Sequence, residues 1–279
     1  MPTIANEIQL TVKERRPISL KAVLRNRWFL YGVSLTVFFL AWDFAAATRI
    51  FSGGLARPHE VAMQLSKMMA VPLAGLSLLG HIWASTQRIL IGFALAAIVA
   101  VPLGLLMALN PYINAVVKPV FDLLKPMPPI AWISISILWF GIGESSKVFI
   151  IVVGTFVPCL LNAYNGVRLI EPQLYDVVRV LGGNRRDEIL QVCFPAAFPA
   201  IFAGLQISLS VAWTCVLAAE LVSSRSGLGF IIIQGMTLSR PAMVLGGMVL
   251  IALVAWLTSL LVTWLERVLC PWKREVLGL

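Results

Sequence analysis

Residues 82–109 read IWASTQRILIGFALAAIVAVPLGLLMAL, and Arg88 is the one charged residue among them. A helix crosses the bilayer core with about 20 mostly apolar residues. A soluble helix of such length would alternate apolar and polar faces, and this run does not. A barrel strand alternates with period two over about ten residues, so the run is also too long and too uniformly apolar for a strand. Comparable runs lie on both sides, at residues 28–47, about 120–140, 148–163, 200–222 and 242–265. The third is broken by Pro126, Met127, Pro128 and Pro129. The expectation is an all-α polytopic membrane protein with about six transmembrane helices.

Composition agrees. Of 279 residues, 59% are hydrophobic and 13% charged, against about 45–50% and about 25% in soluble domains. Mean hydropathy is +0.89. A water-soluble enzyme and a disordered chain are both excluded, the latter because apolar surface is abundant. Lys and Arg number 22 against 13 Asp and Glu, a net charge of +9. With the termini placed in the cytoplasm, 15 of the 22 basic residues fall on that side, as the positive-inside rule requires. They include Lys13 to Arg27, Lys118 and Lys125 in a connection between the second and third spans, Arg168, Arg179, Arg185 and Arg186, and Lys273 and Arg274 in the tail. No basic stripe is interleaved with aromatics, which argues against nucleic-acid binding. The basic arm and first apolar run resemble a signal peptide, but the run extends to about 20 residues and is read as a retained anchor. Cys159, Cys193, Cys215 and Cys270 are isolated, so they read as small apolar fillers with no metal or redox role. Residues 58–70 form a short amphipathic helix with Val61, Leu65, Met68 and Met69 on its apolar face, suited to lie along the outer membrane surface.

Two features inside the membrane stand out. Gly92, Ala96, Ala100, Gly104 and Ala108 recur every four residues, a smooth stripe that lets another backbone approach closely. It points to a helix-packing face and, through it, to a homodimer. Arg88 and Glu220 both fall in the outward half of their spans, where ionisable groups are functional candidates. Either they form an ion pair, which permits burial, or Arg88 faces a pore and attracts an anion. Ser210, Trp213 and Thr214 are further candidates to line a path; equally, a hydroxyl on a span bonds its own backbone four residues earlier.

The loop at residues 171–195 is too ordered for a passive connector. Pro172 opens a helix with Leu174, Val177, Val178 and Leu181 on its apolar face. Gly182 or Gly183 ends it in a left-handed turn. Asn184 caps a second helix, with Asp187 at its third position, and Pro195 and Pro199 close that helix before the fifth span.

This loop resembles the cytoplasmic EAA loop of ABC-type importer permeases: E-A-A, three residues, Gly, nine residues, Ile-x-Leu-Pro. Asp176-Val177-Val178 stands for E-A-A, Gly182 for the Gly, and Val192-Cys193-Phe194-Pro195 for the last part. The Glu is replaced by Asp and both alanines by Val. Lys125 to Trp132, Trp139 to Lys147, Ala218-Ala219-Glu220-Leu221 and Gly227-Leu228-Gly229-Phe230 narrow the likeness to taurine, alkanesulfonate and nitrate permeases, over about residues 28–275. The resemblance implies the type I ABC importer permease fold in the inner membrane. It divides the chain into a cytoplasmic arm (1–27), a first helix and outer amphipathic segment (28–80), a permease domain (81–267) and a cytoplasmic tail (268–279). It implies two permease chains forming the path, an outside substrate-binding protein that delivers cargo, and two cytoplasmic ATPase subunits. Each ATPase would grip one loop through Leu174, Tyr175, Asp176, Val177, Val178, Arg179, Leu181, Gly182 and Pro195. The chain itself has no Walker A signature: near Gly141 to Lys147, Ser146 stands where Gly must precede Lys. It is therefore expected to be no enzyme and to bind no cofactor, ATP–Mg being used by the partner. The expected cargo is a small anion of the sulfonate, taurine, nitrate or bicarbonate class. A membrane-embedded enzyme is the alternative, but it needs clustered catalytic groups, and the two His and the acidic residues are scattered. A channel, the other alternative, gives no reason for the helix–Gly–helix loop.

Overall fold

The structure, a computed structural model, describes residues 27–48 and 53–272. The basic residues from Lys13 to Arg25, Arg49, Lys273 and Arg274 lie outside the described residues. The chain divides into two units, Met1–Pro58 and His59–Leu279.

In the first unit, α1 (Arg27–Ala47) is a 21-residue apolar helix whose large side chains, Phe38 and Leu40 among them, are exposed. Such a surface is at ease in lipid, because the helix satisfies its own backbone. After it, the Trp42 indole N–H donates to the Ala56 carbonyl at 3.0 Å.

All of α2 (Pro58–Ala70) but its first residue belongs to the second unit. Its sequence boundaries hold, but only Val61, Leu65 and Met68 turn inward, while Met69 is exposed. Then α3 (Leu78–Leu109) starts at Ser77, whose hydroxyl accepts from the Gly80 N–H. Asn110 alone joins it to α4 (Pro111–Leu124), its side chain accepting from the Tyr112 N–H at 2.9 Å. The third span therefore starts at Pro111, well before the expected 120. Lys118 and Lys125 consequently lie on and at the end of α4, sharing Asp122, not in a connection. The prolines that follow break the span. A 3₁₀ turn (Pro129–Trp132) and α5 (Ile133–Phe140) leave α4 at 88°.

α6 (Glu144–Arg168) is the middle of the bundle, packed between α3 and α8 (Arg185–Ser223). Small residues make both contacts possible. A Cβ at Gly104 of α3 would lie 2.5 Å from the Leu160 carbonyl oxygen, and one at Gly154 would lie 2.4 Å from the Cys215 sulfur. Gly92, Ala96, Ala100 and Gly104 are buried, with Ala108 half-buried. The stripe is thus occupied within the chain by α6, so it does not argue for a dimer.

α7 (Pro172–Val180) precedes α8. Pro195 and Pro199 were expected to end a helix before the fifth span. Instead α8 runs through both for 39 residues. Residues Glu188–Cys193 wind as a π-helix, with the Phe194 N–H bonded to the Ile189 carbonyl. This wider turn immediately before Pro195 accommodates a ring that has no N–H to donate. The segment after α8 is not a plain loop. It holds α9 (Leu228–Thr237), too short to span but with Leu228, Ile231 and Ile232 buried. α10 (Pro241–Leu269) closes the bundle, with Trp256 and Trp264 on its exposed apolar side. The core is continuous around Ile89, Ile151, Leu209, Val216, Ile231 and Met243. A second cluster of Ala163, Val167, Cys193, Ala197 and Ile201 lies toward the α7 pole. All four cysteines are buried, and none forms a disulfide among the described residues.

Candidate functional site

α3 and α6 run in the same direction and α8 runs against both, so the bundle has two poles. Leu109, Arg168 and Arg185 meet at one, and His81, Glu144 and Glu220 at the other.

At the first pole the 171–195 segment is a helical hairpin. Pro172 sits in the first turn of α7, where its missing N–H costs nothing. The helix ends at Gly182, φ +81°, a conformation that strains a side chain with a Cβ. The Gly183 N–H reaches the Val178 carbonyl at 2.9 Å and the Gly182 N–H the Arg179 carbonyl at 3.0 Å. These two bonds make a Schellman motif, which satisfies carbonyls the helix leaves open. Asn184 then accepts from the N–H groups of Arg186 and Asp187, while Asp187 accepts from the Asn184 N–H, a complete capping box.

The side chains of α7 divide sharply. Leu174, Val177 and Leu181 are exposed, and so is Val180, which the sequence reading did not include. Val178 is half-buried against Gly183, where a Cβ would lie 2.4 Å from its Cγ1. Tyr175 also turns inward, and burial pushes its hydroxyl above the ordinary range. Arg179 and Asp176 are exposed and 3.4 Å apart. Arg179 also donates from Nε to Glu188 at 2.7 Å, which bonds α7 to the first turns of α8 and holds the guanidinium still more firmly protonated. This bond is not legible in the sequence, because Arg179 and Glu188 meet only after the chain reverses.

At the second pole Arg88 and Glu220 do meet, Nη1 to Oε1 at 2.6 Å, both buried. The cluster is larger than a pair. Arg88 Nη2 donates to Glu144 at 2.8 Å, and Lys147 donates to the same carboxylate at 3.0 Å. The Ser226 carbonyl and hydroxyl each accept from Arg88 at 2.9 Å. Counting Nε, which also reaches Glu144, all five guanidinium donors are engaged. Glu220 accepts from Ser85 at 2.7 Å and from the Gly229 N–H at 2.8 Å. His81 accepts the Gly227 N–H at Nδ1 and contacts the Leu73 carbonyl through Nε2, so Nε2 carries the proton. Glu144, Ser226 and His81 escaped the sequence reading. Glu144 had been quoted only as part of a motif, and its place at the first turn of a span was the available signal.

This geometry leaves Arg88 no donor to offer an anion. Trp213 is also buried, its indole donating to Thr258 at 3.1 Å. Ser210 and Thr214, by contrast, are exposed on one face of α8, and their hydroxyls bond the carbonyls four residues earlier.

The molecule is an apolar helical bundle with a doubly capped hairpin at one pole. Residues 100–275 match the family described as binding-protein-dependent transport system inner membrane component, and the chain belongs to that family. A putative ABC transporter permease of Methanocaldococcus jannaschii is 40% identical over 179 residues, covering 64% of this chain and 67% of the relative. The taurine transport system permease protein TauC of Escherichia coli is 31% identical, covering 81% and 83%. The bicarbonate transport system permease protein CmpB of Synechococcus elongatus is 37% identical, covering 53% and 54%. Among solved structures, the inward-facing MetNI methionine ABC transporter superposes with a TM-score of 0.59 at 17% identity, over 68% of this chain and 95% of that one. An amino acid ABC transporter gives 0.55 at 14%, over 74% and 97%. The fold is that of ABC importer permeases. The chain is thus a membrane-embedded transport subunit, not an enzyme, associated with a separate ATPase and a substrate-binding protein.

Proposed function

We propose that two copies of this chain form the path of an ATP-driven importer for a small anion of the sulfonate, taurine, nitrate or bicarbonate class. Both termini are cytoplasmic in this reading, which places α7 at the cytoplasmic surface. Two ATPase subunits each hold one hairpin and hydrolyse ATP–Mg, and the chain itself binds no cofactor. The observation that carries the proposal is the outward apolar face of α7, Leu174, Val177 and Leu181. It is fixed by the Schellman turn and the Arg179–Glu188 bond to a 39-residue helix that traverses the bundle. A displacement of α7 is thereby delivered to α8 as a rigid movement. Ser210 and Thr214, on the exposed face of α8, are its contribution to the path, and the Arg88–Glu220 cluster braces the opposite pole. The anion class is supported by the names of the relatives and by the basic balance of the chain.

The test is uptake into proteoliposomes carrying the permease, its ATPase and its binding protein. ATP-dependent accumulation of labelled taurine, methanesulfonate, nitrate or bicarbonate is expected. Accumulation of only cations or neutral solutes would overturn the anion reading.

A further inference from the structure

Three arginines from three different elements converge beneath α7. Arg168 ends α6, Arg179 lies in the last turn of α7, and Arg185 opens α8. Together they line an open cavity of about 340 Å3. That volume lies at the lower end of the range for small-molecule sites. Glu188 is the only carboxylate on its wall, and it is already bonded to Arg179 at 2.7 Å. Arg168 and Arg185 have no carboxylate within ion-pair distance among the described residues. Arg168 is held over the Tyr164 ring at 5.9 Å. Tyr175 adds a half-buried hydroxyl, and Ala108, Leu109, Val167, Ile170 and Ile189 supply apolar walls. All three arginines are exposed, and an opening lined by charge of one sign draws anions toward it. Arg186, one residue further on, does not line the cavity.

We infer that this cavity is a binding site for a small oxyanion, held between Arg168 and Arg185 at the root of the hairpin. Its regulatory meaning rests on α7 being the coupling element. An anion bridging α6 to α8 would hold the hairpin in one position and slow transport. The shared chemistry is a tetrahedral or planar oxyanion. It has two possible sources: phosphate released by ATP hydrolysis, or cargo accumulated on the α7 side.

The test titrates the purified full-length permease, in non-ionic detergent and without ATPase, with phosphate, sulfate and methanesulfonate at constant ionic strength against chloride. Calorimetry or thermal shift reads binding. Saturable binding is expected, weakened at least about tenfold, or 1.4 kcal/mol, in Arg168→Gln and in Arg185→Gln but unchanged in Arg186→Gln. Preference for phosphate identifies hydrolysis as the source, and preference for methanesulfonate identifies cargo. A response no greater than that to chloride, or equal loss in all three variants, overturns the site. Arg168→Lys and Arg185→Lys, which keep the charge, should recover part of the binding; full loss there together with a lowered melting temperature would show a structural role instead. Because no ATPase is present, the outcome is independent of whether α7 couples transport to hydrolysis.

Discussion

Arg88 decides how the pole opposite α7 is built. With Glu220 at 1% exposure and Arg88 at 4%, removing Arg88 strands the buried Glu220 carboxylate, while removing Glu220 leaves Arg88 only the more exposed Glu144 as counter-charge. Breaking a buried pair costs about 3–5 kcal/mol, whereas removing both leaves only Glu144 short of a partner, and it keeps Lys147 at 3.0 Å. Arg88→Gln and Glu220→Gln should each lower the thermal midpoint and the folded yield in detergent, and the double variant should be less damaged than the sum of the singles. Additive small losses would show that the pair does not hold the pole together. If uptake falls only in proportion to folded protein, Arg88 is a brace; loss of uptake with full assembly would return it to the path. The sequence exposed Arg88 and Glu220 because charges are rare in apolar runs. It hid Glu144, Ser226 and His81, because their meeting depends on three elements converging and on Gly227 at φ +115° admitting the loop beside Glu220.

At the scale of elements, long apolar spans and their proline break were legible, since length and uniform hydropathy survive any packing. So were the hairpin caps, because Gly182 and Asn184 have few alternative uses at those positions. The continuity of α8 was not legible. Pro195 reads as a stop unless the preceding turn is π-wound, which is a tertiary outcome. α9 was also missed, because a 10-residue apolar helix lacks the length that marks a span. The small-residue stripe was visible, but its partner was not: sequence spacing describes a surface, not what covers it. Gly104→Leu should therefore destabilise the isolated protomer, since its Cβ meets the Leu160 carbonyl oxygen at 2.5 Å. Overpacking of this kind costs about 1–3 kcal/mol. A fall in the melting temperature is expected for Gly104→Leu and not for Val99→Leu, at an exposed position on the same helix. Equal melting temperatures would mean that α3 and α6 do not approach as closely as described.

For the whole molecule, the central claim is that force enters at α7 and leaves through α8. Leu174 and Val177 are the substitutions of choice, because both are exposed and contribute little to folding. Val178 is a poorer probe, since it packs against Gly183 and its loss would disturb the turn. Gly182→Val adds an independent perturbation: a left-handed conformation costs a residue with a Cβ about 1–2 kcal/mol, which loosens α7 from α8 without altering its face. The most direct measurement is the amount of ATPase that copurifies with the Leu174→Asp/Val177→Asp permease, with ATP-driven uptake assayed in the same membranes. Two carboxylates introduced on an apolar docking face should reduce attachment at least about tenfold, a change of 1.4 kcal/mol, while the permease remains in the membrane at its normal level and uptake is lost. Undiminished ATPase attachment together with undiminished uptake would contradict a coupling role for α7.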